Sequence, residues 1–324
     1  MRVCTVIVTY NRYLLLKECV EALLKHTVPT DIVIVDNAST DGTGEYLVAQ
    51  GYANHPSITI VSLSSNTGGA GGFYEGMRYA RDHYYDFVWL MDDDAEPAFD
   101  GLEKLLDHTK GDYAAFASTV YTGTIREHVL TTIGHRGMFD KHNPFPTIQK
   151  PLPKEMYDAR VAEIDMASFV GILIPRKSFE SLDLPKKEFF IHHDDTEYCL
   201  RLGDLGKILL VKESKIYHKE MRQEEKIVRS CCGMTKNRIR YDKLWIKYFG
   251  IRNSIFIARK HTTTYKVYIT ILLSYLCLIK DIVLFDDHKM TRIIFATSSY
   301  IDGLRGIFDN EKPKKILNWE KKDV

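Results

Sequence analysis

Cysteine is scarce and unpatterned in this 324-residue chain: Cys4, Cys19, Cys199, Cys231, Cys232 and Cys277 form no CxxC pair and keep no regular spacing. A disulfide framework and a cysteine zinc site are therefore poor readings, and a reducing compartment fits best. The glycine signatures of the common nucleotide folds are missing too. Val3–Val8 gives way to Thr9-Tyr10-Asn11-Arg12 with no glycine, and the later cluster Gly68–Gly72 has neither G-x-G-x-x-G spacing nor the Lys-Ser/Thr of a P-loop. A nicotinamide-type dinucleotide domain is disfavoured on that ground. Net charge is nearly absent, 44 Lys+Arg against 43 Asp+Glu. With no recognisable nucleic-acid motif, that balance argues against nucleic acid as a partner. The N-terminal segment lacks a small-residue cleavage site, so Val3–Val8 reads as a buried strand instead of a signal peptide, and the cytosol is the expected location.

What is present is an ordinary globular composition, 45% apolar and 27% charged, which makes disorder, collagen-like repeats and a polytopic membrane protein poor readings. The length allows two domains of roughly 100 to 200 residues. Charge is unevenly spread: beyond Glu220 there are 21 basic and 11 acidic residues, so the tail carries +10 and the first 220 residues −9. Two domains with different partners are expected, 1–220 and 221–324.

Along the first part, short apolar runs alternate with helical patterns: Val3–Thr9, Ile32–Val35, Ile58–Leu63 and Phe87–Met91 are separated by amphipathic stretches. This is the pattern of βαβ units and a mostly parallel sheet covered on both faces, whose ligands bind at the carboxyl ends of the strands. Four polar clusters fall at those ends. Thr9-Tyr10-Asn11-Arg12 also suits a helix cap, and Asp36-Asn37-Ala38-Ser39 suits an ordinary turn. Asn66-Thr67-Gly68-Gly69-Ala70-Gly71-Gly72 reads as a loop letting a ligand approach the backbone, or else as a linker. Phe87–Met91 delivers Asp92, Asp93 and Asp94 to one strand end, where mutual repulsion calls for a cation. Oxygen ligands suit Mg²⁺ and Mn²⁺. Strand alternation would put Asp92 and Asp94 on one side. The bland alternative is a solvated acidic turn.

In order and spacing, Val-Thr-Tyr-Asn-Arg, Val-Asp-Asn-Ala-Ser-Thr-Asp-Gly, Asn-Thr-Gly-Gly-Ala-Gly-Gly and Leu-Met-Asp-Asp-Asp-Ala-Glu-Pro resemble the family 2 glycosyltransferases of GT-A fold. Among these, the chain is most similar to bacterial galactofuranosyltransferases and rhamnosyltransferases of surface polysaccharide synthesis, over roughly residues 1–220. The resemblance implies that Thr9, Arg12, Asp36, Asn66, Gly71 and Asp93 serve the nucleotide donor, and that Asp92 and Asp94 form the acidic metal motif. The triple Asp departs from the simpler Asp-x-Asp of many members and points to UDP-galactofuranose as donor, with dTDP-rhamnose as the alternative.

Further on, Phe189–Arg201 carries Asp194, Asp195 and Glu197 at the start of a helical pattern. The resemblance makes Asp195 the catalytic base; simple helix capping is the alternative. It also makes His218, at the end of an apolar run, a third metal ligand, a mixed oxygen and nitrogen set that suits Mn²⁺ somewhat better than Mg²⁺. An inverting transfer to a hydroxyl of a glycan or glycolipid acceptor, a growing lipid-linked bacterial polysaccharide, is the implied reaction. A nucleotidyltransferase and an inactive glycan-binding scaffold are the rivals of other classes. Asp165–Arg176 reads as one more strand, and His135–Pro153 as a loop near the acceptor.

Beyond Met221 the character changes. Lys236–Lys266 mixes nine cations and one acid with Trp245, Tyr248, Phe249 and Phe256, a composition suited to a helix lying on an anionic membrane surface. Val267–Ile279 is uncharged for 13 residues, short for a bilayer of about 30 Å. Peripheral docking on the inner face of the membrane is expected, with a basic helical subdomain as the alternative. An apolar tail of this kind also suits pairing into a homo-oligomer.

Overall fold

The computed structural model describes residues 1–219, 226–262 and 264–318, so the expected boundary at 220/221 and the terminal Lys321 and Lys322 lie outside the described residues. The chain divides into two compact units. The first comprises Met1–Met138, Gln149–Lys187 and Asp194–Glu220, and the second Phe139–Ile148, Glu188–His193 and Met221–Val324.

The first unit is built on strands β1 (Val3–Thr9), β2 (Asp31–Asp36), β3 (Ile58–Ser62), β4 (Phe87–Asp92) and β5 (Ala95–Pro97), interleaved with helices α1 (Tyr13–Leu23), α2 (Thr43–Ala49) and α3 (Gly68–Asp82). Helix α4 (Gly101–Leu106) and strands β6 (Ala115–Gly123), β7 (His128–Leu130), β8 (Arg136–Phe139), β9 (Gln149–Pro151), β10 (Val161–Ile164), β11 (Met166–Ala167) and β12 (Ile172–Pro175) follow. Helices α5 (Arg176–Ser181) and α6 (Asp194–Leu202) and strand β13 (Ile208–His218) complete it. The main sheet runs β10-β13-β6-β12-β4-β1-β2-β3. Strand β1 is parallel to β2 and β4, and β12 inserts antiparallel between β4 and β6.

Every residue of β1 is buried, as a β-branched run in the middle of a doubly covered sheet must be. Register then fixes the functional edge. Thr9 pairs with Asp36 and Val8 with Asp92, so three polar strand ends stand side by side. The expected strand over 165–176 is two short strands, β11 and β12, broken by Ser168–Gly171; Gly171 sits at φ +76° against Ile216 and Ser118, where a side chain would be both strained and crowded.

The glycine cluster departs from the expected loop. Helix α3 begins at Gly68, and the glycines form its first turns. An added Cβ on Gly72 would lie 2.4 Å from Val8 Cγ1, and one on Gly76 would lie 2.2 Å from Val6 Cγ1. These glycines let α3 lie closely on β1; the sequence cue of a ligand loop was in part a packing cue.

The second unit contains a hairpin of β14 (Lys226–Cys231) and β15 (Met234–Ile239), then helices α7 (Trp245–His261), α8 (Lys266–Phe285), α9 (Lys289–Arg305) and α10 (Lys312–Ile316). The stretch expected to lie as one helix on a membrane is instead β15, a turn and α7. Helix α7 is a core helix: Tyr248, Phe249, Arg252, Asn253, Ile255 and Ile257 are buried. Arg252 donates to the carbonyls of Glu188 and Phe189 and to Asn310 Oδ1, while Arg238 grips Asp286 through two hydrogen bonds. Helix α8 is different. It is 20 residues long, about 30 Å at 1.5 Å per residue, and leaves Tyr268, Ile269, Leu272, Leu273 and Leu276 exposed.

Candidate active site

The carboxylates sit where the sheet delivers them. Strand β4 ends at Asp92, and a turn through Asp93 and Asp94 leads into β5, whose pairing with β13 brings His218 opposite Ala95. His218 Nε2 lies 2.8 Å from Asp94 Oδ1 and 3.9 Å from Asp92 Oδ2. One ligand atom from each of Asp92, Asp94 and His218 falls within 4.8 Å of the others, a spacing that could hold a metal ion. The turn, and not strand alternation, puts Asp92 and Asp94 on the same side.

Asp93 turns inward and is fully buried. Its Oδ2 accepts a hydrogen bond from Thr9 Oγ1 at 2.7 Å, and its Oδ1 lies 2.6 Å from Arg12 Nη2. Arg12 Nη1 reaches Asp94 Oδ2 at 2.9 Å. Thr9, Arg12, Asp93 and Asp94 are thus one network, in which Arg12 neutralises two acids from the residues just after β1.

The electrostatics show how much negative charge is packed here. Burial, reinforced by Asp94, pushes Asp92 up to about 6, against the pull of His218 and Arg12. Burial pushes Asp93 up to about 7 even beside Arg12. Asp94 is also desolvated, but its bond to His218 and the charge of Arg12 hold it below the usual carboxylate range. A divalent cation fits this donor set: two carboxylates that resist ionising together and an imidazole, all within reach of one ion.

Asp36 ends β2 and accepts a hydrogen bond from Ser39 N, 3.0 Å, through Oδ1. Its neighbour Asn37, buried, clamps the start of α3: Nδ2 donates to Gly68 O at 2.9 Å, and Oδ1 accepts from Thr67 N at 2.8 Å. Asn66 Oδ1 accepts from Gly68 N at 2.8 Å. The N-terminus of α3 is thereby tied to the same strand edge. Gly71 faces Thr67, whose Oγ1 would lie 2.3 Å from an added Cβ, so its role in the fold is the tight first turn.

Asp195 stands in the first turn of α6, where Oδ1 accepts hydrogen bonds from Thr196 N (2.5 Å) and Thr196 Oγ1 (3.1 Å). Its charge reaches Asp92 and adds slightly to the rise there. Burial pushes Asp195 up to about 6, opposed by the Thr196 bonds and by Arg136. Asp194 is raised well above the usual range by burial and by Asp195. Glu197 is buried and pairs with Arg201 Nη2 at 2.8 Å, one turn on, which anchors the helix.

Two residues of this region escaped the sequence reading. Arg136 is fully buried and donates to the carbonyls of Ser118, His135 and Val170 at 2.7 to 2.8 Å. His135 meets Ser168 Oγ at 2.8 Å through Nδ1, and its ring stands edge-on to that of His218, centroids 5.0 Å apart. Both lie at the start of a stretch read as an acceptor loop; the only signal was a His-Arg pair with no periodicity around it.

Residues 4–182 match the family described as glycosyl transferase family 2, and the chain belongs to that family. Its sheet is the GT-A fold. The crystal structure of GalNAc-T7 with UDP, GalNAc and Mn²⁺ aligns with a TM-score of 0.64 at 16% identity, covering 96% of this chain and 57% of that one. Among sequence relatives, the dTDP-rhamnosyl transferase RfbF of Shigella flexneri is 23% identical over 321 residues, 93% of this chain and 95% of its own length. The galactofuranosyltransferase GlfT1 of Mycolicibacterium smegmatis is 37% identical over 97 residues, 30% of this chain and 31% of GlfT1. An undecaprenyl-phosphate mannosyltransferase of Micrococcus luteus is 32% identical over 107 residues, 33% of this chain. That match spans 44% of the mannosyltransferase.

Proposed function

We propose that this protein is an inverting glycosyltransferase that moves galactofuranose from UDP-galactofuranose to a hydroxyl of a growing, lipid-linked bacterial polysaccharide. The observation that carries the reading is the Asp92-Asp94-His218 cluster, with ligand atoms within 4.8 Å of one another, at the strand edge that also holds Thr9 and Asp36. In this account Asp92, Asp94 and His218 hold Mn²⁺ or Mg²⁺. Bound there, the cation supplies charge to offset what grows on the leaving nucleotide diphosphate. The donor nucleotide lies along Thr9, Asp36 and Asn66, with its diphosphate toward the N-terminus of α3, where backbone N–H groups lack intrahelical partners. Arg12 and Asp93 keep that edge rigid through their ion pair, and Gly71 permits the turn that aims it.

Asp195 takes the proton of the attacking hydroxyl, a contribution of roughly 10²- to 10⁴-fold for a general base. The attack opposes the departing diphosphate through a transition state of oxocarbenium character, with no covalent sugar–enzyme intermediate. The exposed apolar face of α8 supports attachment at the inner face of the membrane, where a lipid-linked acceptor would be met.

A second donor is favoured by one observation: the rhamnosyl transferase RfbF aligns over 93% of this chain, whereas the galactofuranosyltransferase aligns over 30%. Incubation with UDP- and dTDP-sugars plus Mn²⁺, read as nucleotide diphosphate release, separates the two. UDP release from UDP-galactofuranose alone supports the first reading; dTDP release from dTDP-rhamnose alone supports the second. Pyrophosphate release would instead mean a nucleotidyltransferase, and no release a scaffold.

A further inference from the structure

Helix α8 carries more hydrocarbon than the fold around it covers. Of its 20 residues, Val267, Ile271, Ile282 and Phe285 are buried, while Tyr268, Ile269, Leu272, Leu273, Leu276 and Val283 are exposed. A helix apolar all round belongs in a core or in lipid, and the core takes up one side only. The middle of the helix is also poor in groups that need water. Thr270 Oγ1 donates to Lys266 O at 3.1 Å, one turn back, and the hydroxyls of Ser274 and Tyr275 meet those of Tyr300 and Thr297 on α9 at 3.0 and 2.8 Å. These three hydroxyls are satisfied inside the protein.

The charges are sorted by sign. Residues 265–305 hold four acids, each paired within the second unit: Asp281 with Lys236 at 2.7 Å, Asp286 with Arg238 at 2.5 Å, Asp287 with Arg292 at 2.8 Å and Asp302 with Lys312 at 2.7 Å. The exposed charges of the same stretch are Lys266, Lys280, Lys289 and Arg305, all cations. Lys266 and Lys280 flank the exposed apolar run, about 21 Å apart along the axis, and Tyr265 and Tyr268 stand exposed beside the first. Apolar side chains flanked by cations, with tyrosines at the edge, suit an anionic lipid surface. A second copy of the chain is a poor occupant. Pairing this face with itself would set cations against cations, which weighs against association.

The contacts of α8 also settle how it can meet lipid. A helix that crossed the bilayer would draw its neighbours into hydrocarbon. Helix α9 lies against α8 through Tyr300 and Thr297 and carries the buried Arg292 and Asp302, and the hairpin of β14 and β15 is tied to the end of α8 by Lys236 and Arg238. Charged groups at the bilayer centre are costly. Only the outer face of α8 is free to enter the membrane.

We propose that α8 lies lengthwise in one leaflet of an anionic membrane, with Ile269, Leu272, Leu273 and Leu276 at the acyl boundary and Lys266, Lys280 and Lys289 on lipid phosphates. The long lysine stems follow the helix surface and carry the ammonium groups up to headgroup level. The docking element is therefore α8 and not the basic stretch 236–266, which forms β15 and α7. This rests on the reading that the chain works at a membrane, and adds to it the helix, its orientation and the sign of the lipid.

The test is co-sedimentation of the full chain with vesicles of phosphatidylcholine alone and of phosphatidylcholine mixed with phosphatidylglycerol. Binding is expected to be at least about tenfold tighter on the anionic vesicles and to weaken with salt. Leu272→Ser combined with Leu273→Ser and Leu276→Ser should lower binding to both vesicles at least about tenfold. Lys266→Gln combined with Lys280→Gln and Lys289→Gln should bring the anionic vesicles down to the neutral level. All six side chains are exposed, so both variants are expected to melt like the parent chain. Orientation is read by spin-label depth at Ile269→Cys, Leu276→Cys and Val283→Cys, each in a chain carrying Cys231→Ser, Cys232→Ser and Cys277→Ser. One shallow depth for the three is expected. A spread of about 20 Å between 269 and 283, the length of that stretch of helix, means that α8 crosses and overturns the proposal. Equal binding to the two vesicles overturns it too, as does full binding by the serine variant. So does absence of vesicle binding with a dimer that the serine variant loses, since the face is then a contact between copies. UDP affinity of the same preparations without lipid reports on the donor site by itself and shows separately whether the transfer reading fails.

Discussion

Arg12 and Asp93 form an ion pair of 2.6 Å in which the carboxylate is fully buried and the guanidinium half exposed. Burial opposes the charge of Arg12, yet Asp93, Asp94 and Asp92 outweigh it and raise the guanidinium pKa. The pair places a permanent cation beside acids that repel one another, at the carboxyl end of β1. Removing Arg12 leaves Asp93 buried with only its Thr9 hydrogen bond, and because Arg12 is 44% exposed and screened by solvent, Arg12→Ala is expected to destabilise by about 1–3 kcal/mol, less than a fully buried pair. A urea melt checks this; an unchanged midpoint would mean the site tolerates the extra charge.

Asp195→Asn keeps the helix cap geometry but cannot accept the proton. Transfer is expected to fall roughly 10²- to 10⁴-fold with nucleotide-sugar binding nearly intact. Steady-state kinetics and donor titration check the two halves separately; unchanged turnover removes Asp195 from the base role.

Asp92→Ala, Asp94→Ala and His218→Ala are each expected to weaken donor binding in the presence of Mn²⁺ and to have little effect on it in EDTA. Donor titration with and without Mn²⁺ reads this difference. Activity surviving full chelation would contradict a cation at this cluster.

With Asp195 as the proposed base, its ionised form is the active one, and burial pushes its carboxyl up to about 6. Transfer should therefore rise with pH through about 6 and level off above it. Arg136 pulls that value down, so Arg136→Gln is expected to move the midpoint to higher pH. A profile displaced the other way, or not at all, would disconnect Arg136 from the base.

Stability carries the same signature. Asp92 and Asp195 at about 6 and Asp93 at about 7 lie above the ordinary ~3.9 of an unfolded aspartate. Their contribution is fully present below pH ~4 and is lost as pH rises through 6 to 7. Mn²⁺ binds the ionised carboxylates and should offset that loss, so its effect on Tm is expected to be larger at pH 8 than at pH 5. Equal shifts at both values would place the ion elsewhere.

The parallel strands and their polar ends were legible because β-branched runs such as Val3–Thr9 and Ile32–Val35 are followed by polar turns, and the register of β1 with β2 and β4 does the rest. The glycine cluster misled in part, because close helix packing and close ligand approach demand the same residue: Gly72 and Gly76 face Val8 and Val6. Arg136 and His135 were illegible since their places depend on contacts with Ser118, Val170 and Ser168, far along the chain. The fate of α7 was hidden for a related reason. Its buried Arg252 finds the carbonyls of Glu188 and Phe189 and the side chain of Asn310, all from distant segments, which no local pattern records.

The most direct measurement is a crystal structure of the chain with UDP and Mn²⁺. The account predicts Mn²⁺ coordinated by Asp92, Asp94 and His218, with Asp195 facing the same cavity on the side away from the diphosphate. A cation bound elsewhere, or UDP lying away from Thr9 and Asp36, would contradict it.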